Sequence, residues 1–225
     1  MPPTNVQQEM ILIRHGQSTA NASGVWQGQL DFPLSAEGRL QASYAGQALK
    51  GTGISGVYTS PLSRAFETAQ IVAREAGFSG EVVCIPGLME RHGGILQGHT
   101  WAEQEARNPV FAEKFLAVPE EERWTMVGAE TDEEILVRFE EAIYGILSHR
   151  HTRPVVVSHG GIMRAFLRHV FGREVLPGHE RAPNASVTRL LWDLSKPDAA
   201  PRLLELAATS HLPQEEAWQA QTRSE

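Results

Sequence analysis

With one cysteine, Cys84, among 225 residues, no disulfide can form within the chain. A chain of this length buries enough surface to fold without such a staple. The composition fits a reducing compartment. Cys84 lies inside the apolar run VVCI and reads as a small core residue rather than a nucleophile. Long hydrophobic runs are also missing. None approaches the roughly 18 residues that a membrane-spanning helix needs. The opening MPPTNVQQE has no basic stretch followed by an apolar one, so it does not read as a signal peptide. The expected location is cytoplasmic, with no membrane partner. Positive charge is scarce: 20 Lys and Arg stand against 27 Asp and Glu, for a net charge of −7. That disfavours nucleic acid as a partner. A Gly-x-Ser-x-Gly elbow is absent, which removes the serine esterases.

What is present is ordinary globular composition, 41% hydrophobic and 21% charged. Residues 10–13 are apolar without a polar break, the pattern of a strand covered on both faces. Further strands are expected at 56–60, 81–85 and 154–158, with SVTRLLWDL and RLLELAAT as a final pair. Ser35 caps a helix with Leu40, Tyr44, Ala48 and Leu49 at helical spacing, stopped by Gly51. Ser60-Pro61 opens another, with proline at its first position, running to Ala76 before Gly77. Thr131-Asp132-Glu133-Glu134 is a capping box for a helix over 132–148, and a last helix covers 161–171. Residues 86–130, interrupted by Pro109 and Pro119, read as an insertion of short helices and loops. Residues 1–8 are polar and expected to be loose, and the tail after Pro213 is expected to fray. No repeat or linker divides residues 1–225 into more than one domain. The alternation predicts an α/β protein: a three-layer α/β/α sandwich with a mostly parallel central sheet. Such sheets place their sites outside the carboxyl ends of the strands.

Three of those strand ends carry chemistry. Arg14-His15-Gly16 follows the first strand, Pro61-Leu62-Ser63-Arg64 the second, and His159-Gly160-Gly161 the fourth. A lone histidine or arginine at such a place is usually a solvated surface group. Three strand ends repeating the pattern argue for one shared anion site, and glycine lets backbone amides approach an anion closely. The helices after Ser60 and His159 would aim their positive ends at the same point. A phosphoryl group is the simplest occupant. Imidazole can attack phosphorus, arginines can hold its oxygens, and a carboxyl group can protonate the leaving oxygen. His149 and His151 could suggest a metal pair, but they precede a strand at the opposite end and read as a solvated turn.

LIRHGQS, SPLSRAFETA and VVSHGG together resemble the three signature segments of the histidine phosphatase superfamily, which includes cofactor-dependent phosphoglycerate mutases. The resemblance spans roughly residues 10 to 190. It implies His15 as nucleophile, and Arg14, Arg64 and His159 as the phosphate pocket. Glu90, in GLMERHGGILQG, resembles the proton donor, with Glu103 and Glu130 as competing carboxylates. Ser18, Asn21, Gln27 and Gly28 fall in the loop that lines the substrate phosphate in relatives, joined by the amide of Gly160. The resemblance implies no metal and, for a phosphatase, no cofactor.

Within that family the segment ERHGGILQG, with Gln97, looks mutase-like. Three features oppose a mutase. Gly93 stands where mutases carry tyrosine, and VSHGG replaces their usual Gly-His-Gly-Asn. Residues 92–130 hold only Arg107, Lys114 and Arg123 against seven glutamates. A mutase must keep a multiply charged bisphosphate bound, and this acidic segment is poorly suited to that. Trp101, Phe111, Phe115 and Trp124 read as core of the insertion, with one or two lining the leaving-group pocket. Glu130 and Arg138 read as structural. The expectation is a phosphomonoester hydrolase working on a small phosphorylated metabolite. The alternatives are a phosphoglycerate mutase and a non-catalytic relative that binds phosphorylated ligands. The apolar terminal strand would allow a homodimer, and Asn184 lies just before it with its role open.

Overall fold

The computed structural model describes residues 7–176, 182–196 and 199–213. The expected fraying of the tail falls on residues outside these. A six-stranded sheet is built from β1 (Gln7–Arg14), β2 (Gly56–Thr59), β3 (Val82–Cys84), β4 (Pro154–Ser158), β5 (Val187–Asp193) and β6 (Arg202–Ala208), in the order β3-β2-β4-β1-β5-β6. β3, β2, β4 and β1 are parallel, and β5 lies antiparallel between β1 and β6. The mostly parallel sheet is therefore present, and its strands match the expected runs closely. β1 differs: it begins at Gln7, and Gln8 is buried, so residues 7 and 8 are strand rather than loose.

The helices α2 (Ala36–Ala48) and α3 (Ser63–Ala76) cover one face; α7 (Asp132–Ser148) and α8 (Gly160–Phe171) cover the other. Side chains alternate along each strand. Ile11, Ile13, Val155 and Val157 join the first layer's core. Met10, Leu12 and Val156 join the second, with Phe139, Ile143, Ile162 and Phe166. Two covered faces explain why β1 and β4 are apolar throughout. Each such side chain, once buried, contributes about 1.5–3 kcal/mol.

Three local readings are corrected. On α2 the buried face is Gln41, Ala42, Ala45 and Gly46, while Leu40 is 53% exposed. Small residues face inward because α2 lies close against α3; a Cβ on Gly46 would come 2.7 Å from the Cβ of Glu75. Pro61 is not helical. Ser60 turns the chain, accepting a hydrogen bond from the Leu62 amide at 3.3 Å, and α3 starts at Ser63. Cys84 is exposed rather than core, because β3 is the edge strand.

The insertion folds as expected into short helices α4 (Trp101–Arg107), α5 (Pro109–Ala117) and α6 (Glu120–Met126). Trp101, Phe111, Phe115 and Trp124 pack with Leu96, Val127 and Trp26 as a separate small core. The four-residue α1 (Thr19–Ala22) sits in the loop after β1. His149 and His151 pack on the ring of Tyr58, and the described residues hold no cluster of three or more metal-ligating side chains. No helix among the described residues is long and apolar enough to cross a membrane.

The loop after β1 meets α2 backbone to backbone. A Cβ on Gly16 would stand 2.3 Å from the carbonyl oxygen of Gly38, and one on Gly38 would stand 2.0 Å from that of Gln17. Alanine for glycine within a helix normally stabilises by about 1 kcal/mol. At Gly38 the sign should reverse: Gly38→Ala is expected to cost about 1–3 kcal/mol by overpacking. A denaturant midpoint measures it, and an unchanged or raised midpoint would disprove the contact.

Candidate active site

The central pair of parallel strands brings the two histidines together. β1 and β4 run in register to Arg14 opposite Ser158, and the His15 amide donates to the Ser158 carbonyl at 2.9 Å. The next residue of each strand is a histidine, and the two rings lie 5.0 Å apart, centre to centre. Both are buried.

The tautomer of His15 follows from its neighbour. Its Nδ1 is 2.7 Å from the carbonyl oxygen of Gly16. A carbonyl can only accept, so Nδ1 carries the proton. Nε2 therefore keeps a lone pair. Burial, and then the guanidinium groups of Arg64 and Arg14, hold the imidazole well below its usual 6.5, against the opposing pull of the Gly16 carbonyl. His159 is lowered in the same direction by burial, Arg64, His15, Arg14 and Arg138. Both rings are neutral at pH 7, the form in which a histidine is nucleophilic.

Arg64 projects from the first turn of α3, fully buried, and is fixed by the backbone. Nη1 donates to Leu30 O at 2.9 Å and Nη2 to Gly28 O at 2.7 Å. Burial pulls its pKa down to about 10, with Glu90 and Asp31 opposing, so it stays charged at neutral pH. Arg14 is held by Nη1 donating to Ala182 O at 2.6 Å. Both ring nitrogens of His159 and the Nε of Arg64 are buried with no hydrogen-bond partner among the described residues. Buried polar groups are rarely left unpaired, so three such atoms beside one another mark a place for a polar ligand.

Glu90 stands at the start of α8. Its Oε2 accepts from the Gly161 amide at 2.8 Å; its Oε1 accepts from the amides of Ile162 at 2.9 Å and Arg91 at 2.8 Å. The two glycines after His159 are explained by this closeness. A Cβ on Gly161 would lie 2.6 Å from Glu90 Oε1, and one on Gly160 would lie 3.1 Å from Arg14 Nε. The competing carboxylates have other partners. Glu103 caps α4 through Thr100, and Glu130 pairs with Arg138. The expectation that two helix ends would open onto the anion is narrowed. In α8 the amides of Gly161 and Ile162 are taken by Glu90, and the Ser63 amide of α3 donates to Asp31 at 2.8 Å. Carboxylates of the chain itself occupy these three amides, and the arginines add positive charge beside them.

The loop residues Ser18, Asn21, Gln27 and Gly28 come to the same edge, but their polar groups largely bind one another. Ser18 caps α1 in a capping box with Asn21, and its hydroxyl donates to Gln27 Oε1 at 2.7 Å. Gly28 has φ of +51°, and a Cβ there would meet Gln97 Oε1 at 2.0 Å. Gln97 Oε1 also accepts from the amides of Gln29 and Gly93, tying this loop to the Glu90 segment. Asn184, left open by the sequence, donates to His15 O at 3.0 Å and reaches Asn21 Oδ1 at 3.3 Å. It braces the backbone of His15. Gln29 and Gly161 also contribute, through their bonds to the Glu90 segment. Gly161 was visible in the HGG triplet, whereas nothing in the sequence marks Gln29.

Residues 10–200 match the model of the histidine phosphatase superfamily, branch 1, and the chain belongs to that superfamily. It is 36% identical over 159 residues to a metal-independent phosphoserine phosphatase of Arabidopsis thaliana, covering 70% of this chain and 66% of that one. It is 31% identical over 221 residues to a probable phosphoglycerate mutase of Yersinia enterocolitica, covering 91% and 94%. Among solved structures it resembles a mycobacterial glucosyl-3-phosphoglycerate phosphatase bound to VO3, at TM-score 0.71 and 25% identity, over 90% of this chain and all of that one. A Bacillus anthracis phosphoglycerate mutase shares the fold at TM-score 0.76 and 23% identity, over 91% and 95%.

The neutral imidazoles have a pH signature. Both are held below 6.5, so the unfolded chain binds protons that the folded chain does not. Their contribution to stability is complete above pH 6.5 and is lost as pH falls below it. Urea midpoints measured from pH 8 to pH 5 should drop accordingly, and less steeply in the His15→Asn, His159→Asn double variant. An unchanged slope in that variant would mean that the rings are charged when buried.

Proposed function

We propose that the protein is a phosphomonoester hydrolase that works through a phosphohistidine at His15 on a small phosphorylated metabolite. The observation that carries this is the set of unpaired buried atoms on His159 and Arg64 beside a neutral His15 whose Nε2 keeps its lone pair. In the first step Nε2 attacks phosphorus, the P–O bond to the leaving group breaks, and Glu90 delivers a proton to that oxygen. Oε2 of Glu90 accepts only one amide bond, which leaves a lone pair to carry the proton. The imidazole becomes positive as the N–P bond forms, and the Gly16 carbonyl at Nδ1–H stabilises it. In the second step water attacks phosphorus, the N–P bond breaks and Glu90 takes the proton. Arg14 and Arg64 balance the charge on the transferring group throughout.

A mutase is the second reading, favoured by Gln97 and by the relatives bearing that name. The cations of the insertion speak against it. Arg107 turns to His99 at 2.9 Å, and Arg123 donates to the backbone at Leu116 and Val118 and covers Phe115. Both are engaged with partners inside the insertion, which supports the phosphatase reading. The relatives named for phosphoserine and for a phosphoglycerate derivative put small phosphorylated acids first in a substrate panel.

The test is incubation with phosphoserine, 3-phosphoglycerate and p-nitrophenyl phosphate, with chelator, with and without bisphosphoglycerate. Phosphate release without primer is expected, and His15→Ala should lose at least about 10³-fold in kcat. Primer-dependent 2-phosphoglycerate with little free phosphate would establish the mutase instead.

A further inference from the structure

The phosphatase reading uses Glu90 but does not explain what keeps it in place. Glu90 sits in an irregular segment, two residues beyond the single turn of 3-10 helix at Pro86–Leu88. Such a segment has no ladder of its own to fix it. The structure supplies a substitute from α7. Arg138 donates from Nη1 to Gly87 O at 3.1 Å and Met89 O at 2.6 Å, and from Nη2 to Glu90 O at 3.0 Å. Its other two N–H groups go to Glu130, Nε to Oε1 at 2.9 Å and Nη2 to Oε2 at 2.8 Å. All five donors of the guanidinium are therefore used, and three of them hold carbonyls of one loop. The loop is also pressed onto α7 at the same residue, since a Cβ on Gly87 would lie 2.5 Å from Arg138 O. Glu130 extends the clamp: its Oε2 accepts from the His92 amide at 2.7 Å and from Gln29 Nε2 at 3.2 Å. Gln29 Nε2 in turn donates to Glu90 O at 3.0 Å.

We infer that the Arg138–Glu130 pair is a positioning device for the proton donor. It pins the main chain on both sides of Glu90, so that the carboxylate rests on the first amides of α8 with one lone pair left for the leaving oxygen. The chain itself takes every donor of Arg138, which leaves none for a phosphoryl group. A pair that only held the fold together would lower stability and treat every ester alike. A pair that positions the proton donor must act selectively, because esters differ in how much they need a proton. A nitrophenolate leaves unaided, whereas an alkoxide such as the serine oxygen does not.

This inference rests on the phosphatase reading, and its test separates the two. kcat/KM reports only the steps up to the phosphohistidine, so it isolates proton donation to the leaving group from the later attack of water. In Arg138→Gln, kcat/KM for phosphoserine should fall about 10²-fold, while that for p-nitrophenyl phosphate stays within about threefold. Glu90→Gln should show the same split. Where Arg138→Gln does not fold, Glu130→Gln, which leaves the carbonyl bonds of Arg138 in place, is read in the same way. Equal losses on the two esters, or none on either, would overturn the positioning role while leaving the phosphatase standing. A His15→Ala variant as active as the wild type would remove the phosphohistidine reading and this inference with it.

Discussion

Arg14 and Arg64 are buried in one pocket with two imidazoles, and like charges kept from water repel strongly. The pocket tolerates them because both rings are neutral and because each guanidinium is tied to backbone carbonyls. Burial and that repulsion keep His15 uncharged and leave its Nε2 a lone pair. The same concentration of positive charge, in a chain of net charge −7, is what a phosphoryl group would neutralise. Much of the surrounding architecture answers this one constraint. The register of β1 and β4 sets the rings side by side, α3 presents Arg64 from its first turn, and Asn184 holds the His15 backbone.

The insertion looks at first like a poor companion for such a site, since it is acidic and aromatic. Its side chains resolve the conflict by bonding elsewhere. The aromatics form their own core, and Arg91 lies over the ring of Trp124 while pairing with Asp132. Glu120 pairs with Arg164 of α8 at 2.6 Å, which fastens the insertion to the helix that follows His159. Glu120 and Glu130 thus act as fasteners between the insertion and the sandwich.

The fold was legible where the physics is local. β1 and β4 read as strands because both faces are covered, and the Thr131 capping box started its helix as written. His15, Arg64 and His159 were legible because strand ends in a parallel sheet share an edge. What escaped depended on contacts distant in sequence. The inward face of α2 is lined by small residues because α3 lies so close, which spacing of large apolar residues could not reveal. Cys84 was misplaced because its strand falls at the sheet edge, and strand order is not written in the strand. Nothing local in the sequence shows that Asp31 and Glu90 reach the amides of Ser63, Gly161 and Ile162.

The loop that lines the site is built from neutral groups. Ser18, Asn21, Gln27 and Asn184 hold one another by hydroxyl and amide hydrogen bonds. Dissolved salt screens charges over roughly 10 Å at 0.1 M but leaves neutral hydrogen bonds nearly untouched. Ionic strength therefore acts on capture and shape separately here. Added salt weakens the long-range pull of the arginines on any anion, while the hydrogen-bonded walls beside them keep their form.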